Sequence, residues 1–182
     1  MVQLAGRPGL DLPALAGEAY GFHQSLPGYW PTPLIPVPEL AVELRVGRVL
    51  VKDESSRLGL PAFKVLGASW ACRQVLQRCL TAARPTTVPT AATVMAGLNC
   101  GTVSRSAWPV LRAGCDAAVA VSDQDALRAV ADLSRLGVSS GPSGAATLAG
   151  TRAALTEPAR RAALGLDDDA VVVLLSTEGP TR

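Results

Sequence analysis

The sequence predicts an α/β fold organised on a parallel sheet, on three grounds. Aromatic residues are only 4% of the chain, so the core must be filled by Val, Leu and a large share of Ala, whose small side chains suit helices packed closely on a sheet. Residues 48–52, Arg-Val-Leu-Val-Lys, are a short apolar strand pattern that gives way to a loop and then to helical spacing. Residues 170–175, Ala-Val-Val-Val-Leu-Leu, are an unbroken apolar run, the pattern of a parallel strand covered on both faces.

In chain order, residues 1–47 read as an irregular lead-in, because Pro27, Pro31, Pro33, Pro36 and Pro38 crowd one stretch and remove backbone donors. The strand at 48–52 is broken by Asp53-Glu54-Ser55-Ser56 with Gly59 and Pro61. From Lys64 to about Leu80, Ala68, Cys72, Val75, Leu76 and Cys79 fall on one helical face. Residues 81–93 hold two prolines and little apolar periodicity, so they read as a linker between segments 1–80 and 94–182. A strand is expected over 116–121. Ser122, with Asp125 three residues on, then offers an N-cap close to a capping box. Ala126, Val130 and Leu133 place a helix up to about Leu136, and Gly137 stands where a left-handed C-cap glycine belongs. The loop Ser139 to Gly144 leads into an alanine-rich helix, and another helix starts near Thr156 with Pro158 early in it.

The 182 residues are 48% hydrophobic and 18% charged, enough to bury a core. A net charge of +2, with basic residues scattered along the chain, gives no track for a nucleic-acid backbone. No stretch approaches a membrane span or a secretory leader. The four cysteines form no CxxC and sit far from the single histidine, so no zinc pattern exists and no metal is expected; a reducing cytoplasm is the expected setting.

Lysine-dependent chemistry is confined to two positions, Lys52 and Lys64. Lys64 lies in Pro-Ala-Phe-Lys-Val-Leu-Gly-Ala at the first turn of a predicted helix, where a positive charge gains nothing from the helix dipole. Apolar neighbours there can lower an ammonium pKa, as an amine forming a Schiff base requires. The plainer reading is a lysine snorkelling to solvent. Lys52, beside Asp53 and Glu54, reads as a charged strand end and is the weaker candidate. The Ser139–Gly144 loop could hold an anion on free N–H groups, although an ordinary glycine turn accounts for it better. His23 reads as structural or near substrate, Cys72 and Cys79 as core, and Asp167-Asp168-Asp169 as a solvated turn.

Residues 22–29 (Phe-His-Gln-Ser-Leu-Pro-Gly-Tyr), 51–55 (Val-Lys-Asp-Glu-Ser) and 61–68 together resemble the N-terminal part of the diaminopropionate ammonia-lyases. Residues 94–101 (Val-Met-Ala-Gly-Leu-Asn-Cys-Gly), 140–146 (Ser-Gly-Pro-Ser-Gly-Ala-Ala) and 175–179 (Leu-Ser-Thr-Glu-Gly) resemble that family's C-terminal blocks, in order. The resemblance implies an incomplete tryptophan-synthase-β-like fold, the fold type II of enzymes that use pyridoxal 5'-phosphate. It further implies that Lys64 holds the cofactor and moves the substrate α-proton, that Ser176, with Thr177 as the alternative, meets the pyridine nitrogen, and that Ser140 and Ser143 lie near a small amino-acid substrate. The activity implied is an ammonia-lyase of amino-acid catabolism, converting 2,3-diaminopropionate to pyruvate and ammonia, in a homodimer.

One departure accompanies the match. Family members carry a long middle segment with an Asn-Gly-Asn-His-type loop, an acid or base aspartate and a glycine-rich phosphate cradle, and here only the linker at 81–93 stands in its place. Impaired activity is therefore expected, the alternative being a non-catalytic remnant or truncated gene model of the family.

Overall fold

A computed structural model describes residues 2–4, 30–56, 86–105 and 108–180. Lys64, His23, Cys72, Cys79 and the helix expected at 64–80 lie outside the described residues.

The sequence expectation of an irregular lead-in up to residue 47 needs correction. Residues Leu34–Pro36 form a strand, β2, and Pro38–Leu44 a helix, α1; a further strand, β1, is Val2–Leu4. Prolines are compatible with both local structures for specific reasons. Pro36 ends an edge strand, where a missing donor is tolerated. Pro38 is the first helical residue, where its N–H would be unsatisfied anyway and its fixed φ suits the helix. α1 closes at Arg45, in the left-handed region at φ 52, and the guanidinium of Arg161 donates to the carbonyl oxygens of Leu44 and Arg45. Those are end-of-helix acceptors that the helix itself cannot satisfy.

Strand β3, Arg48–Asp53, matches the predicted segment and lies between β2 and β5, the strand Val171–Ser176. It runs antiparallel to β2 and parallel to β5, with Val49 opposite Val172 and Val51 opposite Leu174. The parallel orientation is as the apolar run predicted; coverage on both faces is not. Val49, Val51, Leu174 and Ser176 share the buried face, whereas Val171 and Val173 are 47% and 50% exposed. Among the described residues β5 has β3 as its single neighbour, and the core lies on one side. An apolar run reports what a strand could bury, and the packing partners decide how much it does.

The 3₁₀ turn Ala96–Leu98 and the helix α2, Trp108–Gly114, come next. Residues 86–93 carry no helix or strand. They are nonetheless tied down: Val88 N–H donates to the Gly101 carbonyl, and Thr93 Oγ1 and Val94 N–H donate to the Asp123 carboxylate. Val88 packs with Val103 and Trp108 in a small cluster of its own.

β4, Ala117–Val119, is shorter than the expected 116–121 and pairs antiparallel with β1. Helix α3, Asp123–Arg135, begins on the anticipated capping box: Ser122 Oγ accepts from Asp125 N–H at 3.1 Å, and the Asp125 carboxylate accepts from Ser122 N–H at 3.3 Å. It ends at Gly137, φ 77, where Val138 N–H returns to the Leu133 carbonyl and Val138 is fully buried, as in a left-handed C-cap. Helix α4, Pro142–Leu155, and helix α5, Pro158–Ala163, follow.

α4 is the centre of the fold. Its Ala145, Ala146, Leu148 and Ala149 are buried, in one cluster with Leu40 and Leu44 of α1, Val49 and Val51 of β3, Ala126, Ala129 and Leu133 of α3, and Leu174 of β5. Small side chains let α3 and β5 approach it closely, which is why an alanine-rich core suffices. Arg152 then joins three helices, bonding Glu43 of α1 at 2.6 and 2.9 Å and Asp132 of α3 at 2.6 Å.

Candidate functional site

The parallel strands β3 and β5 end side by side, and the N-terminus of α4 is packed against the end of β5. In open α/β sheets the crevice beyond the strand C-termini is where ligands are bound. Backbone bonds fix the arrangement: Glu54 N–H donates to the Ser176 carbonyl and Gly141 N–H to the Glu178 carbonyl, each at 2.9 Å.

Ser176 and Ser140 meet in this corner. Both are buried, 1% and 3% exposed. The Ser176 hydroxyl donates to Ser140 Oγ at 2.9 Å, and Ser140 Oγ–H donates to the Gly141 carbonyl at 3.2 Å. Gly144 makes this approach feasible. A methyl group there would lie 2.6 Å from Ser140 Oγ, 3.0 Å from Thr177 N and 3.2 Å from Ser176 Oγ. Thr177 is buried beside them. A hydroxyl chain of this kind can turn as a unit, since each oxygen both donates and accepts.

The first turn of α4 has no acidic residue and no side-chain cap of its own, so its N–H groups need acceptors from elsewhere. Glu178, which sequence reasoning missed, supplies them: its Oε1 accepts from Ser143 N–H at 2.7 Å. A carboxylate is favoured there by the positive end of the dipole. The Ser139–Gly144 loop thus uses two of its N–H groups, those of Gly141 and Ser143, within the chain, which agrees with an ordinary capped turn. The Ser143 hydroxyl is buried and, among the described residues, has no hydrogen-bond partner.

Around the end of β3, Glu54 is buried and its Oε1 accepts from Thr32 Oγ1 at 2.6 Å. Lys52 donates to the Thr32 carbonyl and lies 3.9 Å from Glu54 Oε1, the charged strand end that the sequence suggested. The aspartate turn is also as read: Asp169 N–H donates to Asp167 Oδ1 and Asp168 pairs with Arg161 at 3.1 Å. Cys100 and Cys115 are free thiols, burial pushing that of Cys115 up. Among the described residues no group of His, Cys, Asp and Glu could hold a metal ion, and no helix is long and apolar enough to cross a membrane.

A family profile described as pyridoxal-phosphate dependent enzyme matches residues 72–178. The diaminopropionate ammonia-lyase of Escherichia coli (strain K12) is 53% identical over 55 residues, which are 30% of this chain and 14% of that protein. The aligned stretch thus spans about a seventh of that relative. A crystal structure of the Escherichia coli diaminopropionate ammonia lyase, in complex with an aminoacrylate-PLP azomethine reaction intermediate, matches with a TM-score of 0.73 at 19% identity, covering 98% of this chain and 93% of that one. Maize serine racemase matches with a TM-score of 0.53 at 22% identity, over 63% of this chain and 34% of that one.

Proposed function

This chain belongs to the pyridoxal-phosphate dependent enzymes, and we propose on that footing that it is a shortened ammonia-lyase of the diaminopropionate type, able to take up pyridoxal 5'-phosphate and impaired in turnover. Its fold is an incomplete tryptophan-synthase-β-like, fold type II arrangement. The observation that carries the proposal is the 53% identity to a diaminopropionate ammonia-lyase over 55 residues. The reaction is loss of the β-amino group of 2,3-diaminopropionate, then addition of water, giving pyruvate and two molecules of ammonia.

The buried hydroxyls at the end of β5 fit the ring end of the cofactor. Ser176, or Thr177 in its place, would meet the pyridine nitrogen, Lys64 would hold the aldehyde carbon and move the α-proton, and Ser140 and Ser143 would lie toward the substrate. When bound, the cofactor supplies the electron sink for the bond that breaks. The chain's own contribution at the ring is orientational. Ser176 would turn its hydrogen from Ser140 toward the nitrogen, and Ser140 would give its own to Ser176 Oγ in return. A neutral hydroxyl partner leaves that nitrogen largely unprotonated, which suits β-elimination.

The phosphate end fits less completely, because Glu178 already holds the N-terminus of α4. A specific observation also favours the second reading, a non-catalytic remnant. Because 55 residues are 14% of the Escherichia coli enzyme, that enzyme is about twice as long as this chain, so a match reaching 93% of it passes over roughly half its residues. The segment at 81–93 is where we place that gap, dividing 1–80 from 94–182. A homodimer and a reducing cytoplasmic setting complete the proposal.

The test is direct. The purified chain is mixed with pyridoxal phosphate, scanned for the visible band of a lysine-bound cofactor, reduced with borohydride and mapped by peptide mass, with pyruvate release from 2,3-diaminopropionate measured alongside. An adduct on Lys64 with slow pyruvate release supports the impaired enzyme. An adduct without pyruvate leaves a remnant that keeps its cofactor, and no adduct at Lys64 refutes cofactor binding altogether.

A further inference from the structure

The hydroxyl chain at the end of β5 has a direction, and one residue sets it. Its far end is the carbonyl of Gly141, the N-cap of α4, which already accepts from Ala145 N–H at 2.9 Å as the first bond of the helix. A carbonyl oxygen only accepts, and its second lone pair takes the Ser140 hydrogen at 3.2 Å. A hydroxyl has one hydrogen to give. With that of Ser140 spent on Gly141, the 2.9 Å bond between the two hydroxyls is made with the hydrogen of Ser176. Ser176 therefore points its hydrogen at Ser140 and keeps only lone pairs for any other neighbour.

Both serines are buried, so solvent water does not stand in for a lost partner. An unprotonated ring nitrogen is an acceptor and needs a hydrogen from Ser176. Ser176 can supply it only if Ser140 turns as well and gives up the Gly141 carbonyl. Ser140 thus competes with the ring for a single hydrogen.

We infer that Ser140 is a positioning residue, which holds the Ser176 hydrogen away from the ring nitrogen and so limits how strongly this corner grips the cofactor. The inference rests on the reading of Ser176 as the partner of the ring and adds the residue that governs it. Ser140 acts here through Ser176, not on the ring itself.

Two measurements test this. Without cofactor, the hydrogen order makes the two serines unequal. Ser140→Ala leaves both the Ser176 hydrogen and a lone pair of Gly141 unpaired, whereas Ser176→Ala leaves Ser140 bonded to Gly141. Ser140→Ala should therefore melt lower than Ser176→Ala, by about 2–4 °C for a chain of this size. An equal or reversed ranking overturns the order.

The second measurement compares uptake of pyridoxal phosphate with that of its 1-deaza analogue, in which carbon–hydrogen replaces the ring nitrogen. Ser140→Ala frees the Ser176 hydrogen for the nitrogen and should raise the preference for pyridoxal phosphate about tenfold, the worth of one buried donor regaining an acceptor. Ser140→Cys, close in bulk and a weak acceptor, should act in the same direction. In a Ser176→Ala background neither change should move the preference, and a mere loss of shape would alter both probes alike. Uptake by the wild type with a preference that Ser140→Ala leaves unchanged overturns the role of Ser140 alone. No uptake of either probe by the wild type sinks the enzyme reading, and the role of Ser140 toward the ring with it.

Discussion

Two glycines of the same helix should respond to alanine with opposite sign. At Gly144 a new Cβ would sit 2.6 Å from Ser140 Oγ and 3.0 Å from the backbone nitrogen of Thr177. The second contact is with main chain at the end of β5, so rotating a side chain cannot relieve it. The first turn of α4 must move off the strand, which costs about 1–3 kcal/mol as overpacking. The Ser140–Ser176 bond is strained or lost as well, at about 1 kcal/mol. Against this stands a gain of about 1 kcal/mol in helix propensity. The net expectation is a loss of about 1–3 kcal/mol. At Gly150 the nearest heavy atoms to a new Cβ are Val119 Cβ and Val121 Cγ1, both at 4.0 Å, an ordinary contact. Here the propensity term acts alone, and Gly150→Ala should gain about 0.5–1 kcal/mol. Urea unfolding followed by circular dichroism reads both, and with a slope of about 2 kcal/mol per molar the two midpoints should separate by about 1–2 M. A Gly144→Ala variant as stable as the wild type would refute the close packing of α4 on β5 and the hydroxyl corner that depends on it.

Other consequences of the structure can be measured in the same way. Gly137→Ala should destabilise by about 1 kcal/mol although nothing lies within 4 Å of the new Cβ, because φ 77 is unfavourable for a side chain; thermal melts check this. Arg152→Ala should lose about 1–2 kcal/mol by uncoupling Glu43 and Asp132, which push its guanidinium further toward the charged form. Melts in low and high salt should show part of that loss screened away. Ser122→Ala should cost about 1 kcal/mol through the lost cap. The Ser122 hydroxyl and N–H also hold the Asp125 carboxyl below the usual carboxylate range. A lowered folded pKa means its contribution is present above the unfolded value, about 3.9, and is lost as pH falls through the folded one. Asp125→Asn should therefore flatten the acid limb of a stability profile, and an unchanged limb would refute the assignment.

What the sequence made legible was mostly local. The capping box at Ser122, the stop at Gly137 and the strand at Arg48–Asp53 each depend on residues within a few positions, so pattern and chemistry sufficed. The proline-dense stretch before residue 47 was misread because proline count was weighed without position. Pro38 starts α1 and Pro36 ends an edge strand, and neither place needs a donor. The openness of one face of β5 was not legible either, since it depends on which elements pack there. The sharpest omission was Glu178. Its bond to Ser143 spans 35 residues, so no window reveals it. A signal existed all the same: a helix opening Gly-Pro-Ser-Gly, with no acid in its first turn, has to borrow an acceptor. Ser140, Ser143, Ser176 and Thr177 were singled out by resemblance alone; the structure places Ser140, Ser176 and Thr177 around Gly144, and Ser143 is its neighbour in the chain.

The open face of β5 also bears on how the chain behaves in a crowded solution. Val171 to Leu175 is a run of five residues without charge or proline, two of whose valines are half-exposed. Such a segment is the raw material of strand-to-strand association between molecules. One residue ahead of it, before Ala170, stand Asp167, Asp168 and Asp169, acidic side chains that disfavour a second copy drawing near in register. The triplet is placed to act as a gatekeeper of colloidal stability. Engineered forms that neutralise it should gel or precipitate at concentrations where the parent stays clear.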